Sequence, residues 1–403
     1  MQTDNESGNR DADFLLRVRT CLTPDEELHN AAILCRNGII QAMGGYSALP
    51  HLDDIPSIDM SDCQVIPGLV DTHLHGTGGF ASMDADRKSD LSGIARTLAA
   101  HGVTSFVATV LAAPQEKMLA VIRALAKQAG PNPYGAELVG IHLEGPYISF
   151  ERRGAQSAEA VRAIDVGEVQ ALLEAGNSHI KTMTFAPELP DSEALLEVLL
   201  AHGVTPSMGH SSADEAAVLR AINAGARRCT HLFNGMPPLN QREASLTSLG
   251  LTDDRLVIEL TCDGVHVHPR MIDLACRSKP RPGVVGISDA TQGAGLEDGI
   301  YHLGEDEVCI AEGFCRRVSD GKLAGSCLTL DQALRNLRDF TTLPRPDVVA
   351  CYTANAAASI RLTDRGIIQP GKRADLTVVN DRWEVQMTIV NGRVVFDRRA
   401  AAP

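Results

Sequence analysis

Aromatic residues are scarce in this chain, at 4% with a single Trp, which argues against a base-stacking surface for single-stranded nucleic acid. Basic excess is missing too. Lys and Arg number 37 against 51 Asp and Glu, giving a net charge of −14 and a pI of about 5.4. That balance leaves no footprint for nucleic acid or an anionic membrane. The ten cysteines (Cys21, Cys35, Cys63, Cys229, Cys262, Cys276, Cys309, Cys315, Cys327 and Cys351) form no CxxC pair. Thiolate zinc clusters and thioredoxin chemistry are therefore poor readings. The thiols read as small buried hydrophobes in a reducing cytosol, so a cytoplasmic location is expected. No apolar run reaches the ~18 residues of a membrane span. The start, MQTDNESGNRDADF, lacks the basic opening and apolar core of a signal peptide.

What is present is ordinary globular composition: 403 residues, 44% hydrophobic and 22% charged. That length suits two or three domains, or one barrel of roughly 250 residues with an accessory unit. Near the start, AAILCRNGIIQAMGG places Asn37-Gly38 between two apolar runs, the mark of a hairpin. The tail repeats this texture, with Asn391-Gly392 inside VQMTIVNGRVVF. Hairpins at both ends of a different middle predict one small β-sandwich assembled from residues 1–66 and 359–403.

The middle, residues 67–358, alternates. Strand ends are read at GLVDTHLH, TSFVATV, LVGIHLEG, KTMTFAPE, VTPSMGHS, RCTHLFN, LVIELTCDG and GVVGISDA. Helical segments such as SDLSGIARTLAAHG, EALLEVLLAHG and ADEAAVLRAINAG separate them, each closing on a Gly in cap position. Eight such units spell a (β/α)8 barrel of the TIM type, an α/β fold. Active sites of such barrels lie at the C-terminal ends of the strands. Those ends carry His73 and His75, Glu144, His210, His231 and Asp289. Alternate residues of a strand share a face, so His73 and His75 can point into the mouth together. Any one of these residues could be structural. Imidazoles and carboxylates from five strands instead suggest a hydrolytic metal site. His142 shares a face with Glu144 and reads as structural, as do His101 and His202 in loops at the opposite mouth.

The segments HLEGPYIS (142–149), MGHSSA (208–213), THLFNGM (230–236), CDGVHVHP (262–269), SDAT (288–291) and LAGSCLT (323–329) resemble the N-acetylglucosamine-6-phosphate deacetylase family of the amidohydrolase superfamily. PGLVDTHLHG (67–76) and GIIQPGKRADLTVV (366–379) are similar to signatures of the whole superfamily. The resemblance implies metal-dependent hydrolysis of an N-acetyl amino-sugar phosphate to acetate and free amine. It implies that Glu144, His210 and His231 bind the main divalent ion, Zn2+ being expected and Fe2+ or another divalent ion possible. His73 and His75 match a second-metal pair, so one or two ions are expected. Asp289 matches the catalytic carboxylate. Ala155, Gln156, Asn234, Gly235, Arg242, the stretch Asp263 to His266, and Leu323, Ala324 and Gly325 match substrate-contacting positions. A homodimer is implied, with a neighbouring subunit completing the phosphate pocket.

Three departures fall around the sugar. Gln156 stands where the family has His, Ala244-Ser245 replaces Pro-Gly after Arg242-Glu243, and Cys262 precedes Asp263 where Ala is common. The rival readings are the galactosamine epimer, a cyclic-amide hydrolase, and a non-catalytic sugar-phosphate sensor. The second predicts a bridging Lys on a middle strand, where this chain has Glu144. The third tolerates loss of ligands, and none is missing here.

Overall fold

In the computed structural model, residues 13–23, 26–49, 55–87 and 91–400 are described. Most of the polar start, and Ser89-Asp90 at the head of the first expected helix, lie outside the described residues. Eight parallel strands run in sequence order around the barrel: Leu69–Leu74, Val103–Leu111, Glu137–Glu144, Ile180–Phe185, Thr205–Met208, Arg228–Cys229, Val257–Thr261 and Val284–Ile287. A parallel bridge from Leu74 to Ala290 joins the eighth strand back to the first. The first three strands are buried along their whole length, as expected when helices cover the outside and side chains fill the inside.

The cap glycines behave as their spacing predicts. Gly102, Gly203 and Gly225 follow the helices Ser92–Ala100, Ser192–Ala201 and Glu215–Asn223 with φ of 79°, 72° and 113°. A side chain at those angles would be strained, so Gly ends each helix and turns the chain into the next strand.

Both chain ends enter one seven-stranded sheet in the order Arg393–Asp397, Val385–Val390, Leu376–Val379, Ser57–Pro67, Phe14–Leu22, Glu27–Arg36, Ile39–Gly45. Its apolar core draws Leu16, Ile33 and Val65 from the front of the chain and Leu376, Met387 and Ile389 from the back. The two Asn-Gly turns meet. A Cβ on Gly392 would lie 2.8 Å from the Gly38 Cα, so neither glycine tolerates a side chain. The sheet joins the barrel at its N-terminal mouth, where the Thr377 hydroxyl donates to Gly102 O at 2.6 Å and Gly68 N–H donates to Asp375 O at 2.9 Å.

One element was not anticipated. A three-stranded antiparallel sheet (Gly299–Leu303, Asp306–Ala311, Phe314–Arg317) interrupts the connection after the eighth strand. It carries Leu323 towards the mouth through a bridge to Arg316.

Candidate active site

The strand-end residues converge. Glu144 Oε1 lies 3.1 Å from His210 Nε2 and 3.1 Å from His231 Nε2, and those two nitrogens are 3.0 Å apart. His75 Nε2 is 3.1 Å from Asp289 Oδ1, with His73 Nε2 3.6 Å from the same oxygen. Two groups of candidate ligand atoms result, Glu144–His210–His231 and His73–His75–Asp289, each spanning less than 4.8 Å. All six residues are buried.

This donor set fits a divalent ion. Lone pairs facing each other at 3 Å repel unless a cation or proton sits between them, and N/O donors of this kind suit zinc-like ions. The Nε2 of His73, a buried polar atom aimed at the cluster, has no hydrogen-bond partner. Electrostatics agree. Burial opposes a charge on His73, but Asp289, Glu144 and Glu259 together outweigh it and raise its pKa well above the usual imidazole value. The same carboxylates favour any positive charge at that spot, proton or metal. Burial would also raise Asp289 and Glu144, yet the surrounding imidazoles, His73 foremost, hold both below the ordinary carboxylate range.

The backbone is bent for this purpose. His210, His231 and Asp289 each have positive φ, at 46°, 28° and 51°. Such conformations cost ~1–3 kcal/mol each for residues other than Gly, and they concentrate where side chains must be aimed. Gly235, with φ of 62°, packs under His210, where a Cβ would sit 2.9 Å from Nδ1. His210 Nδ1 is fixed by Arg152 O at 2.8 Å, which leaves Nε2 for the cluster.

Other candidates fall around this centre. Leu323, Ala324 and Gly325 lead into Ser326, whose N–H donates to Asp289 O at 2.7 Å. A Cβ at Gly325 would meet Thr291 Cγ2 at 2.6 Å. Asn234 N–H donates to His231 O at 3.0 Å. Asp263 accepts from the backbone of Val265 and His266, and its Oδ2 lies 2.6 Å from His266 Nδ1. Burial opposes charging of His266, but Asp263 outweighs it and raises its pKa. Gln156 is 4% exposed, its Oε1 accepts from Ala112 N–H at 2.8 Å, and its Nε2 has no partner. With Ala155 it lines a cavity of about 530 Å³. Arg242 stands apart, in a second surface cavity of about 590 Å³ with Asp214 and Asn240. Among the described residues its guanidinium has no hydrogen-bond or ion-pair partner.

His142 is buried with its ring nitrogens 3.2 Å from the Thr109 hydroxyl and 2.8 Å from the Thr184 hydroxyl, a packed structural role. His101 pairs with Asp331 at 3.0 Å, and the exposed His202 hydrogen-bonds Val198 O at 2.9 Å. Sequence reasoning missed Arg228 and Glu259, a buried pair beneath the ligands. The available signal was a charged residue inside each of two short barrel strands.

A parallel barrel with a buried His/Glu/Asp centre at its C-terminal mouth defines a metal-dependent hydrolase scaffold. Comparison with known proteins narrows this. The Amidohydrolase family profile matches residues 64–395. The chain is 36% identical over 393 residues to an N-acetylglucosamine-6-phosphate deacetylase of Bacillus subtilis, covering 96% of this chain and 98% of that one. It is 32% identical to an N-acetylgalactosamine-6-phosphate deacetylase of Escherichia coli O157:H7, covering 94% and 98%. Its structure superposes with a TM-score of 0.88 on a mutant form of the Mycobacterium smegmatis N-acetylglucosamine-6-phosphate deacetylase in complex with N-acetyl-D-glucosamine-6-phosphate, at 31% identity and 95% and 99% coverage. The chain belongs to the amidohydrolase family, within its N-acetylglucosamine-6-phosphate deacetylase branch.

Proposed function

We propose that this protein removes the acetyl group from N-acetylglucosamine 6-phosphate, giving glucosamine 6-phosphate and acetate. The observation that carries the reading is the meeting of Glu144, His210, His231 and Asp289 at the C-terminal mouth. Glu144, His210 and His231 would hold the tighter ion, and His73 and His75, which lie beside Asp289, the weaker or optional one. Zn2+ is the ion we expect, and Fe2+ suits the same donors. A divalent ion held there would supply Lewis acidity to the amide carbonyl and lower the pKa of water. Asp289, ionised and buried, takes a proton from the attacking water as its oxygen bonds to the carbonyl carbon. It returns that proton to the nitrogen as the C–N bond breaks, so acetate and the amine leave.

His266, whose positive charge Asp263 favours, and Arg242 take the 6-phosphate, the Arg through bidentate contact. Arg242 has its own surface cavity and no partner among the described residues. That supports a homodimer in which it reaches the neighbouring subunit's substrate. Ala155, Gln156, Asn234, Gly235 and Leu323 to Gly325 contact the sugar. We assign residues 67–358 to the catalytic unit and residues 1–66 and 359–403 to the accessory β unit. We place the protein in the cytoplasm, where ten unpaired thiols persist. No helix of the described residues is long and apolar enough to cross a membrane.

The galactosamine epimer is the second reading, favoured by the relative of that name. Acetate release from a panel of N-acetyl sugars, with and without the 6-phosphate, separates the two. Metal analysis of single Ala variants tests the ligand ranking. If His73→Ala empties the protein of metal while His210→Ala does not, the ranking is wrong.

A further inference from the structure

Below the ligands lies a charged pair that the reaction does not touch. Glu259, in the seventh strand, and Arg228, in the sixth, are each 1% exposed. Arg228 Nη2 donates to Glu259 Oε1 at 2.5 Å and to the Thr72 hydroxyl at 2.6 Å. The other carboxylate oxygen, Oε2, sits 3.1 Å from His73 Nδ1 and accepts the His231 backbone N–H at 3.1 Å. One carboxylate therefore holds a ligand from each of the two metal groups.

We infer that Arg228 and Glu259 are positioning residues that set both ligand groups at once, through the ring of His73 and the backbone of His231. The inference rests on the metal reading above. An ionised carboxylate at Nδ1 requires that nitrogen to carry the proton. The lone pair of His73 then falls on Nε2, the atom aimed at Glu144 and Asp289. Metal-bound imidazoles are commonly fixed this way, and losing the outer partner typically lowers metal affinity 10–100-fold. At His231 the same oxygen ties down a backbone with φ of 28°, which a β-strand would not adopt unaided. Arg228, with Nη2 2.5 Å from Oε1, supplies the carboxylate's counter-charge on the side away from His73. Thr72 fixes the guanidinium from the first strand, so strands one, six and seven are locked in one chain of contacts.

The test is Zn2+ affinity of the full-length, metal-stripped protein, measured by competition with a chelator. Glu259→Gln removes the charge at constant shape. It is expected to bind Zn2+ about 10–100-fold more weakly while its far-UV circular dichroism stays that of the parent. In nitrogen–proton correlation spectra of the Zn2+-loaded protein, where Nε2 carries no proton, His73 should lose its single Nδ1–H tautomer. Unchanged affinity, or a persistent tautomer in folded variant protein, overturns the inference. Should Glu259→Gln not fold, Arg228→Lys replaces it. Lysine keeps the charge but is shorter and lacks the terminal Nη2 that donates to both Thr72 and Glu259, so weaker Zn2+ binding is again expected and parental binding overturns the idea. Glu137→Gln, at the opposite mouth, is the control and should keep parental affinity. Equal weakening there would reduce the Glu259 effect to general loosening and also overturn it. A parent protein that binds no Zn2+ would fail the metal reading itself, a result distinct from parental binding in every variant.

Discussion

At the N-terminal mouth of the barrel, Arg373 lies 2.6 Å from Glu137 and 3.2 Å from Asp375, while Arg365 donates to the Ser105 hydroxyl at 2.8 Å. No side-chain nitrogen or oxygen of these four charged residues is both buried and without a partner. At the C-terminal mouth, by contrast, His73 Nε2 and Gln156 Nε2 are buried and unpaired, and Glu144 Oε1, His210 Nε2 and His231 Nε2 crowd within 3.1 Å of one another. Both mouths bury charge, and burial makes unpaired charge expensive. One mouth therefore satisfies itself with its own ion pairs and serves as structure. The other leaves donors and acceptors open, which is tolerable only if a guest completes them. Buried polar groups become informative about function when their partners are counted.

The sharpest way to break this contrast is Asp289→Asn. The amide cannot accept the water's proton, so kcat should fall ~10²-fold or more while the folded, metal-loaded state persists. Near-normal turnover in metal-loaded variant protein removes Asp289 as the base. The complementary change at the other mouth is Arg365→Met. It leaves Glu137 and Asp375 with Arg373 alone, and a loss of roughly 3 kcal/mol of stability is expected, at the low end for breaking a buried pair. Urea unfolding measures it. Turnover per folded molecule should hold, and an equal collapse of kcat would merge the two mouths into one functional unit.

Arg242→Ala tests the guest's charge. KM for the phosphorylated substrate should rise ~30-fold or more, with an unphosphorylated analogue nearly unaffected. Equal losses on both would make Arg242 a residue of loop structure. Mixing Arg242→Ala with Asp289→Asn protein should restore partial activity if the phosphate site crosses the dimer interface. The smallest effect is expected at Gln156→Leu, which removes one neutral donor. About a fivefold loss of kcat/KM is expected, the scale of a single neutral hydrogen bond of ~1 kcal/mol, or somewhat more where a buried partner is stranded. A change below twofold would show that its free Nε2 faces no substrate atom.

The barrel was legible because its period is written locally. Short apolar runs ended in His, Glu or Asp, helices closed on glycines at positive φ, and all eight strands lie where those runs placed them. The two Asn-Gly turns announced hairpins for the same local reason, since both residues of such a turn need left-handed backbone. His73, His75, Glu144, His210, His231 and Asp289 were visible as chemistry at strand ends. Their division into two ligand groups was implied only by the family resemblance, and that Asp289 joins His73 and His75 depends on how strands far apart in sequence close the ring.

Arg228 and Glu259 illustrate the limit. In the sequence each is one charged residue in a short strand, and nothing local says that they meet, or that Glu259 touches His73, 186 residues away. Likewise, Arg242 sits four residues from Pro238 in sequence, yet only the fold puts it in a cavity apart from Gln156. The sequence by itself determined the strand–helix alternation, the hairpins and the residue types at the mouth, all properties of short-range periodicity and backbone preference. Tertiary structure alone decided which imidazoles face a carboxylate, which nitrogens are left unpaired and which charges cancel. Those are distances between residues that the chain brings together only on folding, and electrostatic energy in a buried site is fixed by distance.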